Sequence, residues 1–510
     1  MPAYIYDREV SEYEYRQRVR RHRPSSLLPL IAATAAFYGS PERPDAWIDS
    51  PYRKYTPWAL ADAARVSLAY GTEHGRSEAT EQDLLRILAA YSRLKDPTLA
   101  STGDAAVRLR DFLLRTSGEQ FVWQTPEYTA LARTAAIYLH SAFPSHRQAR
   151  CLTPGWDSQV FGCSLTDYIA SAQLLWLAAI VGAGRFDPVV LEAPGSERIN
   201  AVVDRDVVLR VLDRHFATDL TTFREAEKRS VSGLARAAGA HAAQLRRFTF
   251  NPLLDKPAVR GFGPGLLCPS PPLVARKATP VGVYFTGLAH FGNDFLVETG
   301  YVFEEYIGRQ LRLLSNADVT GEITYKIGKD VMQSVDWIVV FDDLVLLVEV
   351  KSTMPTEKAR LGLERGVAET DSKLGRAYRQ INKTAARIDQ RHPAFASIPA
   401  DRPCQALIVT FEPFPLANAN LPHVSTPTPD IPTTVVSAAE VERLVTLTDP
   451  TPNRLLLDRA GDLHRSTWAL TECMAGYLQG RNPLIDQAWA AYPWTAAAAR
   501  PALAQHGDTS

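Results

Sequence analysis

Ser334-Val335-Asp336-Trp337-Ile338-Val339-Val340-Phe341-Asp342-Asp343-Leu344-Val345-Leu346-Leu347-Val348-Glu349-Val350-Lys351-Ser352 holds two runs of Val, Ile and Leu interrupted by three charges. β-branched and large apolar residues at this density predict two strands. Asp336, Glu349 and Lys351 fall where those strands should be almost wholly apolar. A charge in such a place is costly unless it is paired, binds a metal or does chemistry.

Register sharpens the reading. Asp342-Asp343 suits a two-residue hairpin loop, because Asp tolerates the turn conformations required. Phe341 then faces Leu344, Val340 faces Val345, Ile338 faces Leu347, and Asp336 faces Glu349. Opposed residues have Cβ atoms roughly 4.5–5.5 Å apart, so the two carboxylates repel strongly unless a cation lies between them. Lys351, two residues beyond Glu349, points to the same face. Two carboxylates and an ammonium therefore converge at one end of a hairpin. Hard cations such as Mg²⁺ favour one or two carboxylates plus water and substrate phosphate. The competing reading is an ion-pair cluster at a sheet end. A lone Glu-x-Lys triplet would carry little weight; the upstream Asp336, on its own strand and in matching register, favours a functional site.

An Asp on one strand followed by Glu-x-Lys on the next resembles the PD-(D/E)XK nuclease superfamily, the restriction-endonuclease-like phosphodiesterases. Asp336, Glu349 and Lys351 match the pattern, and Val335 stands in place of the nominal Pro. The resemblance covers about residues 290–415. It implies a core of one helix, a three-stranded antiparallel meander, a second helix and a further strand. The sequence offers a first helix from about Asp294 to Leu314, with Phe303, Tyr306, Ile307, Gln310, Leu311 and Leu314 at helical spacing. Glu322 to Ile327 reads as the first strand, followed by the hairpin. Val367 to Gln390 reads as the second helix, and Gln405 to Phe411 as a strand bounded by Pro413 and Pro415.

The resemblance also implies site residues. Asp336 and Glu349, with the Val350 carbonyl, would hold Mg²⁺ or Mn²⁺, and Lys351 would orient the attacking water. Many members carry a metal-site Glu on the first helix. Glu304 or Glu305 supplies it, and Glu304 is preferred because it flanks the apolar stripe; a solvated Glu near a helix N-terminus is the alternative. RecB-like members place a Gln on the second helix, a role open to Gln380. Tyr378 precedes it by two residues, whereas the usual pattern has a Tyr four residues after the Gln. Nucleic acid is the implied partner, DNA favoured over RNA, in defence or repair.

Lys373, Arg376, Gln380, Lys383 and Arg387 are spaced three, four, three and four apart, beside an apolar face of Leu374, Ala377, Ile381 and Ile388. Such a basic stripe can track a phosphate backbone; a merely solvated face is the alternative.

The 510 residues suggest two or three domains, and 46% hydrophobic with 22% charged residues is ordinary for a globular protein. Net charge is zero, so any nucleic-acid affinity must come from local patches. Five Cys, at 151, 163, 268, 404 and 473, form no CxxC pair, which argues against zinc and a disulfide framework and fits a reducing cytoplasm. The N-terminus lacks the apolar run of a signal peptide. Tyr168–Gly184, the most apolar window, reads as a buried core helix. No GxxxxGK[ST] loop, HExxH helix or GxSxG elbow occurs.

The expected fold is mixed α/β. A mostly helical region (1–250) precedes a Pro/Gly-rich linker or arm (251–289). A restriction-endonuclease-like domain follows, with a central mixed sheet flanked by helices (290–450), and then a helical tail (451–510). Helices are expected over 56–70, 80–94, 103–116, 127–142, 165–182, 205–215 and 221–246, where a protein partner could dock. The expected activity is Mg²⁺-dependent phosphodiester hydrolysis. The alternative is an inactive nuclease-fold protein that serves as an interaction module.

Overall fold

The computed structural model describes residues 8–38, 50–97, 104–122, 126–354, 356–414, 417–419 and 429–495. The fold is mixed α/β. Its largest sheet has five strands in the order Thr433–Ser437, Cys404–Thr410, Val345–Lys351, Trp337–Phe341, Ala317–Gly321. The last three form an antiparallel meander, and the first two join it in parallel.

Strand periodicity explains the layering. Along the two hairpin strands, Trp337, Val339, Phe341, Leu346 and Val348 point into one core with Phe303, Tyr306 and Ile307 of helix Asn293–Leu311. The alternate residues, Ile338, Val345 and Leu347, enter a second core with Leu374, Ala377 and Ile381 of helix Glu364–Asp389. The two helices thus cover opposite faces of a sheet that must be apolar on both sides. Gly308 permits the close approach on the first face: a Cβ there would lie 2.1 Å from the Trp337 ring. The Trp337 indole N–H donates to the Glu304 carbonyl at 3.1 Å, fixing the helix against the strand.

The hairpin register agrees with expectation: Val340 pairs with Val345, Ile338 with Leu347, and Trp337 with Val348. The first strand does not. Ala317–Gly321 is the meander's outer strand, whereas Thr324–Ile327 pairs with Asp330–Gln333 in a separate two-stranded ribbon. Gly328, with φ of 59°, makes that ribbon's turn. The ribbon takes the apolar Tyr325 to the second core, leaving the less apolar segment 317–321 for the sheet edge.

The region before residue 250 is helical, including Pro57–Tyr70, Glu81–Tyr91, Tyr128–Tyr138, Leu165–Val181 and Leu220–Ala238. Segment 251–289 is no extended arm. It forms two short strands, Ala258–Val259 and Leu266–Leu267, then helix Pro271–Lys277 and the start of helix Pro280–Phe291, with Leu273, Val274 and Val283 fully buried. Pro271, Pro272 and Pro280 occupy helix starts, where the missing N–H costs nothing. The tail is broken into short pieces ending in helix Pro483–Ala490; residues 496–504 and much of the 413–433 loop lie outside the described residues.

Buried polar ties join these parts. Glu442 accepts from Arg133 Nη2 at 2.6 Å and from Tyr306 Oη at 2.5 Å, linking helix Tyr128–Tyr138 to the sheet-covering helix. Asn482 donates to the Gln310 side chain at 2.7 Å and to the Glu442 carbonyl at 3.0 Å, adding the tail. Among the described residues no helix is long and apolar enough to cross a membrane, and the five Cys are all unpaired.

Candidate active site

The hairpin brings Asp336 and Glu349 to one end of the central strands. Asp336 lies just before strand Trp337–Phe341, and one of its oxygens accepts from the Val350 N–H at 2.6 Å. Glu349 is fully buried within strand Val345–Lys351. One of its oxygens accepts from the Lys351 ammonium; the other, Oε2, is buried with no hydrogen-bond partner. Asp336, Glu349 and Lys351 share the side-chain parity of Ile338 and Leu347, hence the sheet face covered by helix Glu364–Asp389.

That helix positions Asp336. Gln380 Nε2 donates to the Ser334 carbonyl at 2.7 Å, and the Val335 N–H donates to the buried Thr384 hydroxyl at 3.1 Å. These two bonds hold the backbone immediately before Asp336. In this structure Gln380 therefore orients the acid; its amide is engaged with backbone.

Electrostatics show an excess of negative charge. Burial and the neighbouring Asp336 push the Glu349 carboxyl up to about 8, against the pull of Lys351. Burial raises Asp336 too, opposed by Lys351 and the Val350 N–H. Glu304, half-buried on helix Asn293–Leu311, is pushed up to about 7 by burial and by the Asp336 and Glu322 carboxylates. Burial disfavours the Lys351 ammonium, but Glu349 and Asp336 outweigh this and raise it. One ammonium thus faces a group of carboxylates.

Glu322 and Arg147 were not expected here. Glu322 lies between strands rather than opening one, and burial followed by Asp336 raises its carboxyl. Arg147, from the helical region, lies 4.4 Å above the Tyr301 ring and favours the ionised forms of Glu304 and Glu322. No sequence spacing links position 147 to this site; only the tertiary fold brings it there.

The expected basic stripe divides. Lys373 and Arg376, with Gln380 and Lys351, line a large cleft. Lys383 and Arg387 are not among the lining residues, and Arg387 donates to Gln390 at 2.5 Å. Tyr378, close to Gln380 in sequence, is buried in the core beneath the helix.

Among the described residues no three His, Cys, Asp or Glu side chains converge as a ready-made metal cluster. The donors offered are the Asp336 carboxylate and the unpartnered Glu349 Oε2. That set suits Mg²⁺ or Mn²⁺, which take few protein oxygens and retain water, better than a metal needing an all-protein cage. Comparison of the chain with protein-family models, curated proteins and solved structures returns no match.

Proposed function

We propose that this chain is a divalent-metal-dependent nuclease with a PD-(D/E)XK core. The observation that carries the reading is the opposition of Asp336 and Glu349 across a hairpin, with Lys351 on the same face and one buried Glu349 oxygen unpartnered. The topology supports it as well: helix, antiparallel meander, helix, then a strand added in parallel beside the Glu349 strand. A structural ion pair would not need a second carboxylate pressed against the first.

In this proposal Asp336 and Glu349, with the Val350 carbonyl, would hold Mg²⁺ or Mn²⁺. The bound cation supplies Lewis-acid stabilisation of the phosphate and a lowered pKa for water. Lys351 reaches the same space and offsets the charge that grows on the phosphate during in-line attack by water. The P–O bond to the leaving oxygen breaks as the new P–O bond forms. Glu304, poised near neutrality, can take up a proton at its carboxylate. Gln380 keeps the Asp336 backbone in place.

The proposal is tested by incubating the purified chain with single- and double-stranded DNA and RNA, with Mg²⁺ or Mn²⁺. Metal-dependent cleavage abolished by chelator is expected. A folded chain that cleaves none of these substrates in either metal would favour the interaction-module reading.

A further inference from the structure

On the nuclease reading, the space beside Lys351 also selects the form of substrate. A cleft of about 1170 Å³ opens there between two distant parts of the chain. Lys351 lines it together with Lys373 and Arg376 of the basic helix. The rest of the basic lining comes from segments far from the hairpin in sequence, Arg214, Lys256, Arg276 and Lys277, together with Arg360. Eight Lys and Arg side chains line the cleft against two acids, Asp255 and Glu357, in a chain of zero net charge. The excess is local, as a polyanion site requires.

These cations are only partly neutralised. Among the described residues Arg214, Lys256 and Arg360 form no salt bridge, while Lys277 reaches Asp255 at 3.5 Å and Arg276 reaches Glu412 at 3.2 Å. Burial and the neighbouring Lys277, Arg214 and Lys256 hold His215 down to about 4. Burial and the adjacent Arg276 likewise lower Arg360. Each of these repulsions would be relieved by a bound anion.

The cleft also presents aromatic surface. Phe285, on helix Pro280–Phe291, is 53% exposed and Phe250 is 40% exposed, and both line it. Cations that follow a backbone, combined with exposed ring faces, suit single strands, whose unpaired bases are free to stack. A duplex keeps its bases stacked on one another and has no face to offer Phe285.

We infer that the cleft binds single-stranded nucleic acid, its phosphates held by the basic lining and a base stacked on Phe285, so that the backbone runs past Lys351. The stacking and lining contacts belong to binding. The passage of a phosphate to Lys351 is the part that rests on the nuclease reading.

The test is fluorescence anisotropy in chelator, so that no cleavage intervenes, with labelled single-stranded DNA, single-stranded RNA and duplex DNA. Both single strands, or one of them, should bind more tightly than the duplex. Phe285→Ala should weaken single-strand binding roughly 5- to 100-fold with little effect on the duplex. Arg214→Ala/Lys256→Ala/Arg276→Ala should weaken it further and reduce the salt slope by roughly 0.7 per lost contact. Both variants alter solvent-accessible or half-buried side chains, and a melting curve establishes that each is folded. Duplex binding equal to or tighter than single-strand binding would overturn the inference. So would unchanged single-strand affinity in folded Phe285→Ala and triple variants. Preferential, variant-sensitive binding without cleavage in any metal would leave the cleft inference standing and remove the nuclease reading. Metal-dependent cleavage with binding indifferent to these variants would do the reverse.

Discussion

Two buried charge clusters in this molecule differ in completeness. In the helical region Arg65 donates to Glu227 at 2.8 Å, to the Arg246 carbonyl at 3.0 Å and to the Thr249 hydroxyl at 3.0 Å. Tyr70 donates to the other Glu227 oxygen at 3.2 Å. Arg246 grips both oxygens of Asp62, at 2.9 and 2.8 Å. Every carboxylate oxygen of Asp62 and Glu227 has a donor. At the hairpin end, carboxylates outnumber the single ammonium and Glu349 Oε2 has none. A closed, fully buried network stabilises helices against one another; the open one, partly exposed at Asp336 and Lys351, leaves a buried carboxylate oxygen to be completed from outside the chain.

The contrast breaks if the two clusters respond alike to substitution. The largest expected effect is on the closed one. Arg246→Ala would leave Asp62 buried without its partner and cost about 3–5 kcal/mol of stability, read by denaturant unfolding. Lys351→Ala should instead lower turnover by roughly 10²–10³ while the chain remains folded, read by single-turnover cleavage. If Lys351→Ala were instead the more destabilising and left turnover intact, the open cluster would be scaffold.

The pH response sharpens the comparison. Glu349 and Glu304 titrate at about 8 and about 7 in the folded chain, against an ordinary value of 4.5. Between roughly 4.5 and 8 the folded state binds more protons than the unfolded state, so these groups make metal-free stability fall as pH rises across that window. Glu349→Gln should remove much of this loss, and the melting-temperature difference from wild type should grow with pH in the variant's favour. A difference independent of pH would mean that Glu349 is not held protonated. The smallest effect concerns positioning: Gly308→Ala pushes a methyl into Trp337 and should cost about 1–3 kcal/mol, with some loss of activity through the displaced Glu304.

How much was legible depended on the range of the interaction. The hairpin register followed from period-two alternation and Asp342-Asp343, both local, and the acid pair came with it. The outer strand Ala317–Gly321 was missed because an edge strand with half-buried and exposed residues carries little apolar signal, while Tyr325 and Ile327 advertised a strand that pairs elsewhere. The Pro- and Gly-rich composition of 251–289 suggested a linker or arm, yet Pro271 and Pro272 sit at the start of a buried helix. Much of the cleft's basic lining was invisible for a different reason: Arg214, Lys256, Arg276 and Arg360 meet there only through packing between distant segments.

Whether a divalent cation completes the open cluster is decided by isothermal titration of Mn²⁺ or Mg²⁺ into the chelator-treated chain, repeated in buffers of different ionisation enthalpy. A saturable site should appear near neutral pH, releasing protons as the raised carboxylates ionise, and Asp336→Asn should abolish or strongly weaken it. Absence of binding at millimolar metal, or binding unchanged in folded Asp336→Asn protein, would contradict the account.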